Sequence, residues 1–307
     1  MEPRPFVTKK TTLTRERILA VLRDNIGEIQ HLQPLAEGEE SQAFGFVGEG
    51  QSYVVRIHRG DAGFQKDQFA WRHFAGPGLP VPEVLRILAL EEGLYACISR
   101  RAPGVTLQDL DRASLLQVMD PVARTMEAIA GAAVTAADGF GTLDAGGRGG
   151  DSSWGGFLTA IADRGRYDWG FASRYVAMDP VERLLSRVCE LSAACPEQRN
   201  LVHGDFGSNN VLTLEGKITG VIDWSESLLG DPLYEAANIF FWRTWLLCMK
   251  MQAEYLEPQV AALPRGRERL LCYQLRIGLE EVYRNAMAGD GRRADWALRR
   301  CGEIDHR

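Results

Sequence analysis

The sequence predicts an α+β protein of two lobes, a small β-rich N-terminal lobe and a larger, mainly helical C-terminal one. Three observations carry this reading. Residues 32–100 carry strand-like segments at 43–47 and 53–57, separated by a glycine-containing turn. Pro103-Gly104 then interrupts the chain. Beyond it the apolar residues recur at helical spacing, apart from one β island between residues 201 and 222. The lobes are accordingly placed at residues 1–101 and 102–307.

In chain order, Thr14 can cap a first helix whose apolar stripe is Ile18, Leu19 and Leu22. Residues 43–47 and 53–57 flank Gly48-Glu49-Gly50 and read as a hairpin. A helix over 63–74 carries Phe64, Phe69 and Phe74, and Pro77, Pro80 and Pro82 break the chain after it. Strands near 84–90 and 94–99 turn at Glu91-Glu92-Gly93. Helices are expected near 114–133, 179–194, 231–254 and 267–288. The glycine-rich stretch 139–156 reads as a surface loop. The β island has strands at 201–203, 211–214 and 218–222, the last two joined at Glu215-Gly216-Lys217.

Composition narrows the function. The chain has 307 residues, 45% hydrophobic and 25% charged, which excludes wholesale disorder and collagen-like structure. Lys plus Arg number 35 against 41 Asp plus Glu, a net charge of −6. That balance disfavours nucleic acid and anionic membrane and suits a cationic substrate. The six cysteines form no C-x-x-C pair and read as small buried hydrophobes in a reducing compartment. The N-terminus has no apolar signal core, and the apolar run 236–249 is interrupted by Asn238 and Arg243, so a core helix is expected rather than a membrane span. A cytoplasmic monomer without nucleic-acid or membrane partners follows as the expectation.

The chemistry is concentrated in His203-Gly204-Asp205-Phe206-Gly207-Ser208-Asn209-Asn210 and in Ile222-Asp223-Trp224. Asp205 and Asn210 lie on a loop leaving one strand, and Asp223 ends the second strand of the hairpin, so three oxygen-bearing side chains can converge at one mouth. Carboxylate and amide oxygens are hard ligands suited to Mg²⁺. A carboxylate not engaged with metal can accept a hydroxyl proton. Together these supply what phosphoryl transfer needs. The five-residue spacing from Asp205 to Asn210 equals that of the kinase loop H-R-D-x-x-x-x-N, and Asp223 stands where the D-F-G aspartate would.

On these residues the chain resembles the aminoglycoside phosphotransferase family, with H-G-D-x-x-x-x-N and I-D-W in place of D-F-G. Further segments carry the resemblance, among them Leu35 to Ser41, Ile98 to Ala102, Gly104 to Leu110 and Ala237 to Arg243. The resemblance implies a bilobal protein-kinase-like fold, ATP or GTP as phosphoryl donor, and Mg²⁺. It makes Asp205 the catalytic residue and Asn210 and Asp223 the metal ligands. It also implies an aminocyclitol antibiotic as acceptor, with hygromycin B and its 4-hydroxyl as the expected target. A small-metabolite kinase acting on homoserine, choline or a sugar, and a nucleotide-binding pseudokinase, stand as alternatives.

For the nucleotide, Gly38-Glu39-Glu40-Ser41 can fold over the triphosphate with Ser41 and backbone N–H groups as donors, although it also suits a plain turn. Arg56 takes the position of the usual strand lysine and offers a two-donor fork. The glutamate that would pair with that lysine is missing. Gln65 stands near its place, and Asp67 is the other candidate partner. The resemblance assigns the carbonyl of Ser99 and the N–H of Arg101 to the adenine. For the acceptor, Asp231, Glu235, Asn238 and Trp242 share one face of the expected helix, and Glu226 lies close behind Asp223. Asp231 also suits a helix cap before Pro232, Glu235 a solvated charge, and Trp242 core packing.

Overall fold

The computed structural model describes residues 13–35 and 41–306. It begins with helix α1 (Arg15–Ile26), capped by Thr14, whose hydroxyl accepts from Arg17 N–H at 3.3 Å. Strands β1 (Ile29–Pro34), β2 (Gln42–Gly48) and β3 (Gln51–Arg59) follow, then helix α2 (Ala62–Phe74) and strands β4 (Val84–Ala89) and β5 (Leu94–Arg100). They form one five-stranded sheet in the order β1-β2-β3-β5-β4. The β2–β3 hairpin closes through Glu49 and Gly50, both at positive φ, which lets a two-residue loop match the strand twist. One face of this sheet buries Phe46, Tyr53, Val55, Ile57 and Ile98 against Ile18 and Leu22 of α1. Val54 and Arg56, alternating with those residues, point to the other face.

The connector turns into strand β6 (Val105–Thr106), and helix α3 (Arg112–Ala130) follows. Strands β7 (Phe140–Leu143) and β8 (Gly149–Asp151) come next, then helices α4 (Trp154–Thr159), α5 (Trp169–Ala172) and α6 (Met178–Ser192). The β island contains β9 (Asn200–Val202), β10 (Val211–Leu214), β11 (Lys217–Val221) and β12 (Leu228–Gly230). Helices α7 (Leu233–Trp242), α8 (Leu247–Ala262), α9 (Gly266–Met287) and α10 (Gly291–Asp305) complete the chain. Two small sheets hold the site in place: β11-β10-β6 joins the connector to the β10–β11 hairpin, and β8-β7-β12-β9 brackets the loop after β9. The C-terminal core around them includes Trp154, Trp169, Phe206, Trp224, Phe241 and Tyr273, all fully buried.

Two expectations are corrected, and one helix is added. The stretch 139–156 is not a plain surface loop. Residues 140–143 pair with β12 and with β8, and a tertiary partner overrides glycine's weak strand preference. The expected helix over 231–254 is two helices, α7 and α8, although neither proline nor glycine lies at the break. The turn between them lets Trp242 stack on Trp296 (centroids 5.3 Å, 16°) with Trp245 edge-on to Trp296 at 4.7 Å. Helix α10 was not anticipated, though Asp290 caps it and Ala294, Ala297, Leu298, Cys301 and Ile304 form its buried stripe. All six cysteines are free, and Cys97, Cys248, Cys272 and Cys301 are buried. Among the described residues no helix is long and apolar enough to cross a membrane.

Candidate active site

The loop between β9 and β10 carries Asp205 and Asn210. Gly204 enters it at φ +86, and a Cβ there would lie 2.3 Å from the Glu226 carbonyl oxygen, so only glycine admits this close approach. His203 is fully buried, which pushes its imidazole down to about 4 and keeps it neutral. Its Nε2 lies 3.0 Å from the Ile222 carbonyl, and its Nδ1 accepts from the Asp205 N–H at 3.3 Å. The histidine thus ties the Asp205 loop to the strand end that carries Asp223.

Asn210 donates from Nδ2 to the carbonyl of Asp205 at 2.9 Å and to its Oδ2 at 2.8 Å. Burial, followed by the charges of Asp223 and Glu226, pushes the Asp205 carboxyl up to about 7, while the Asn210 bond opposes the rise. A carboxyl held there is matched to accepting a proton near neutral pH. Asp223 has φ 62 and ψ 73, a left-handed conformation that a non-glycine residue adopts at an energetic cost. The strand end holding it is joined to Asn210, whose carbonyl accepts from Ile222 N–H at 2.9 Å. Both side-chain donations of Asn210 use Nδ2, which leaves its Oδ1 as a hard acceptor, and with the carboxylate of Asp223 on the adjoining strand end the two residue types are chemically suited to Mg²⁺.

Arg56, on β3, pairs with Asp67 of α2 and lies 5.1 Å from the Phe64 ring centroid. Burial works against its charge, but Asp67 and Asp223 more than compensate, so the guanidinium stays cationic. Asp67 is therefore the acid partner, while Gln65 is exposed and bonds Asp61 instead. The other oxygen of Asp67 accepts the Trp224 N–H at 2.8 Å. One carboxylate thus links the phosphate-binding candidate to the turn after Asp223.

The remaining nucleotide candidates divide. Ser41 is half-buried immediately before β2, whereas Gly38, Glu39 and Glu40 lie outside the described residues. Ser99 pairs in register with Val54 on one side and Val84 on the other. The Arg101 N–H donates to the Ser52 carbonyl at 3.0 Å, so it is already engaged by the sheet rather than free for adenine. The Arg101 side chain instead lies against β2, where a Cβ on Gly45 would meet its Nη1 at 3.0 Å.

The acceptor candidates need the largest correction. Glu235 is 4% exposed, and its carboxylate accepts from the N–H groups of His203 (2.6 Å), Gly204 (3.2 Å) and Phe206 (3.3 Å). It underpins the Asp205 loop and does not face a substrate. Burial pushes it up to about 7 against the pull of those three donors. Asp231 is likewise buried, bonded twice by Arg269 Nη2 (2.6 and 2.8 Å), once by Arg269 Nε (3.0 Å), and by the Tyr273 hydroxyl (2.6 Å). Its Oδ1 also accepts from Leu233 N–H at 3.0 Å, but the N-cap position is Pro232 and the helix begins at Leu233, so Asp231 sits one residue before the expected cap. Asn238 is 3% exposed inside α7 and is no surface ligand. Glu235 and Asn238 face inward because α7 packs into the core on almost every side, while Asp231, just before it, is held by Arg269 and Tyr273. Glu226 and Trp242 are only partly buried. Glu226 pairs with Arg284 at 3.2 Å, and Arg284 also meets Glu281 at 3.6 Å.

Residues 31–272 match the phosphotransferase enzyme family. The chain belongs to that family. This phosphotransferase is 46% identical over 299 residues to hygromycin-B 4-O-kinase of Escherichia coli, covering 96% of this chain and 86% of that protein. A thermostable mutant of aminoglycoside phosphotransferase APH(4)-Ia, solved as a ternary complex with AMP-PNP and hygromycin B, is 46% identical with a TM-score of 0.88 over 94% of this chain and 97% of that one. The apo form of a thermostable APH(4)-Ia mutant gives 47% identity and a TM-score of 0.86, covering 93% and 97%. The GDP complex of aminoglycoside 2'-phosphotransferase-IIIa, at 14% identity and a TM-score of 0.66 over 95% and 98%, shares the fold.

Sequence reasoning missed Lys66 of the phosphotransferase, whose ammonium reaches the Ser225 carbonyl at 2.6 Å. It also missed Glu281 and Arg284, which join Glu226 on the acidic side of the site. No local motif announces them. They come from α2 and α9, and only folding brings them beside residues 223–226.

Proposed function

We propose that the protein is an ATP- and Mg²⁺-dependent phosphotransferase that phosphorylates hygromycin B on its 4-hydroxyl. The observation that carries the reading is the meeting of Asp205, Asn210 and the Asp223 strand end at one mouth, with Asn210 bonded to Asp205 at 2.8 Å. The 46% identity to hygromycin-B 4-O-kinase supports the choice of acceptor. Asp205 accepts the proton of the attacking hydroxyl and orients that oxygen toward the γ-phosphate. Asn210 and Asp223 hold Mg²⁺, which, when bound, neutralises charge on the phosphate oxygens. Arg56, kept cationic and fixed by Asp67, presents its fork to the nucleotide phosphates.

Glu226, within an acidic group that includes Glu281, draws the ammonium groups of the antibiotic, and Arg284 is the internal cation that they replace. Trp242 is proposed to offer an indole face to a sugar ring. The intact Arg56–Asp67 pair speaks against a pseudokinase, whose only support was the missing lysine. The test is ADP release from ATP and Mg²⁺ with hygromycin B, kanamycin, homoserine, choline or no acceptor. Release stimulated by hygromycin B alone is expected, abolished by EDTA and restored by Mg²⁺. Equal release with every acceptor, or stimulation by homoserine or choline only, would reject the assignment.

A further inference from the structure

Helix α2 follows β3 in the chain, and while Phe64 at its start packs with Val84 and Cys97 of the N-terminal sheet, its later buried residues pack with the C-terminal core. Ala70 and Phe74 belong to that core, and Phe74 lies 6.1 Å from the Trp224 ring. Two consecutive residues of α2 grip the turn after Asp223. Asp67 accepts the Trp224 N–H at 2.8 Å, and Lys66 donates to the Ser225 carbonyl at 2.6 Å. The turn is held from both its donor and its acceptor side. At the start of the helix, a Cβ on Gly63 would lie 3.7 Å from the Ser225 Cβ, so the backbones run close.

Such a grip has something to hold. The left-handed conformation of Asp223 is one that persists only where its surroundings over-determine it. The Asp67 contact alone fixes one peptide N–H. The Ser225 carbonyl takes its hydrogen bond toward α2 from Lys66. Burial lowers the Lys66 ammonium from its ordinary value, and the charges of Glu226, Asp144, Asp223 and Asp67 act against that lowering. Asp144 is in turn fixed by the Gly146 and Arg148 N–H groups at 2.8 and 2.9 Å, on the β7–β8 turn. That turn leans on α2 as well: at Gly147, φ +79, a Cβ would come 2.1 Å from Phe69. The glycine-rich segment thus supports α2 from the C-terminal side.

We propose that Lys66 is a positioning residue that fastens the Asp223 turn to helix α2 and so sets the geometry of the metal-binding carboxylate. It does not touch the reacting atoms. It acts through the Ser225 carbonyl on a neighbour two residues away. The part concerning metal rests on the proposed role of Asp223, while the fastening of the turn does not.

The experiment separates the two. Hydrogen–deuterium exchange of residues 222–227 is measured in nucleotide- and metal-free wild type, Lys66→Met and Lys66→Arg. Exchange in Lys66→Met is expected to speed up about tenfold in that segment with the α1–β3 region unchanged, and Lys66→Arg to restore much of the protection. Calorimetric titration of Mg²⁺ into the ADP complex should show affinity falling by roughly 10–100-fold in Lys66→Met, as for other residues that orient a metal ligand. Unchanged exchange in a folded Lys66→Met would overturn the fastening. Faster exchange with wild-type Mg²⁺ affinity would overturn its link to the metal site. Asp223→Asn, titrated in parallel, reports on the metal assignment itself, since unchanged affinity there would remove Asp223 as a ligand whatever Lys66 does.

Discussion

Arg56 shows how a residue that departs from a familiar pattern takes a different acid partner. Lysine is a point charge, whereas arginine is a planar fork that needs an acceptor to set its plane. Asp67 supplies that acceptor and at the same time takes the Trp224 N–H. Arg56→Lys is therefore expected to remain active with a raised KM for ATP. Arg56→Ala should lose both the phosphate contact and the partner of a buried carboxylate, lowering kcat/KM for ATP by about 10²-fold or more. Steady-state kinetics with ATP varied decides it, and wild-type kinetics in Arg56→Ala would remove that residue from the nucleotide site. Asp205, Asn210 and Asp223 were legible in the sequence because strand-loop-strand spacing limits where such side chains can go. The partner of Arg56 was only half legible. Gln65 and Asp67 lie within one turn of the same helix, and the facing strand selects between them.

At the scale of the element, α7 teaches a different lesson. Periodicity groups Asp231, Glu235, Asn238 and Trp242 on one helix face, but α7 begins only at Leu233, and periodicity does not say whether a face meets solvent, core or ligand. All of Leu233 to Phe241 is buried, so polar residues there serve neighbouring backbone instead of substrate. Glu235 is the clearest case, receiving three N–H groups of the Asp205 loop. Glu235→Gln puts an amide NH₂ where a second acceptor oxygen stood. It is expected to destabilise the fold by about 1–3 kcal/mol and to lower kcat, with KM for hygromycin B little changed. Denaturant unfolding and steady-state kinetics check it. A raised KM for the antibiotic with unaltered stability and kcat would return Glu235 to the acceptor site.

At the scale of the whole molecule, two large cores are accompanied by a small cluster of Phe64, Val84 and Cys97. One lies between α1 and the five-stranded sheet, and the larger spans the C-terminal helices. The alternation of strands before Arg100 and the helical spacing after Pro103 were enough to foresee this division. The sequence did not show that α2 would pack with the second core, that the glycine-rich segment would be a hairpin supporting it, or that β12 would pair with both β7 and β9. Each of these depends on contacts between residues far apart in the chain, which local propensity does not encode. The consequence for the proposed function is that Arg56 on β3, the helix α2 and the Asp223 turn form one connected chain of polar contacts, reaching the Asp205 loop through Ile222, His203 and Asn210. Asp205 is the end of that chain and the only member assigned to receive the proton. The most direct test is single-turnover transfer in wild type and Asp205→Ala, with ATP, Mg²⁺ and hygromycin B all saturating and their affinities measured separately. Transfer should slow by about 10²–10⁴-fold while nucleotide and antibiotic affinities change far less. A folded Asp205→Ala that transfers phosphate at close to the wild-type rate would contradict it.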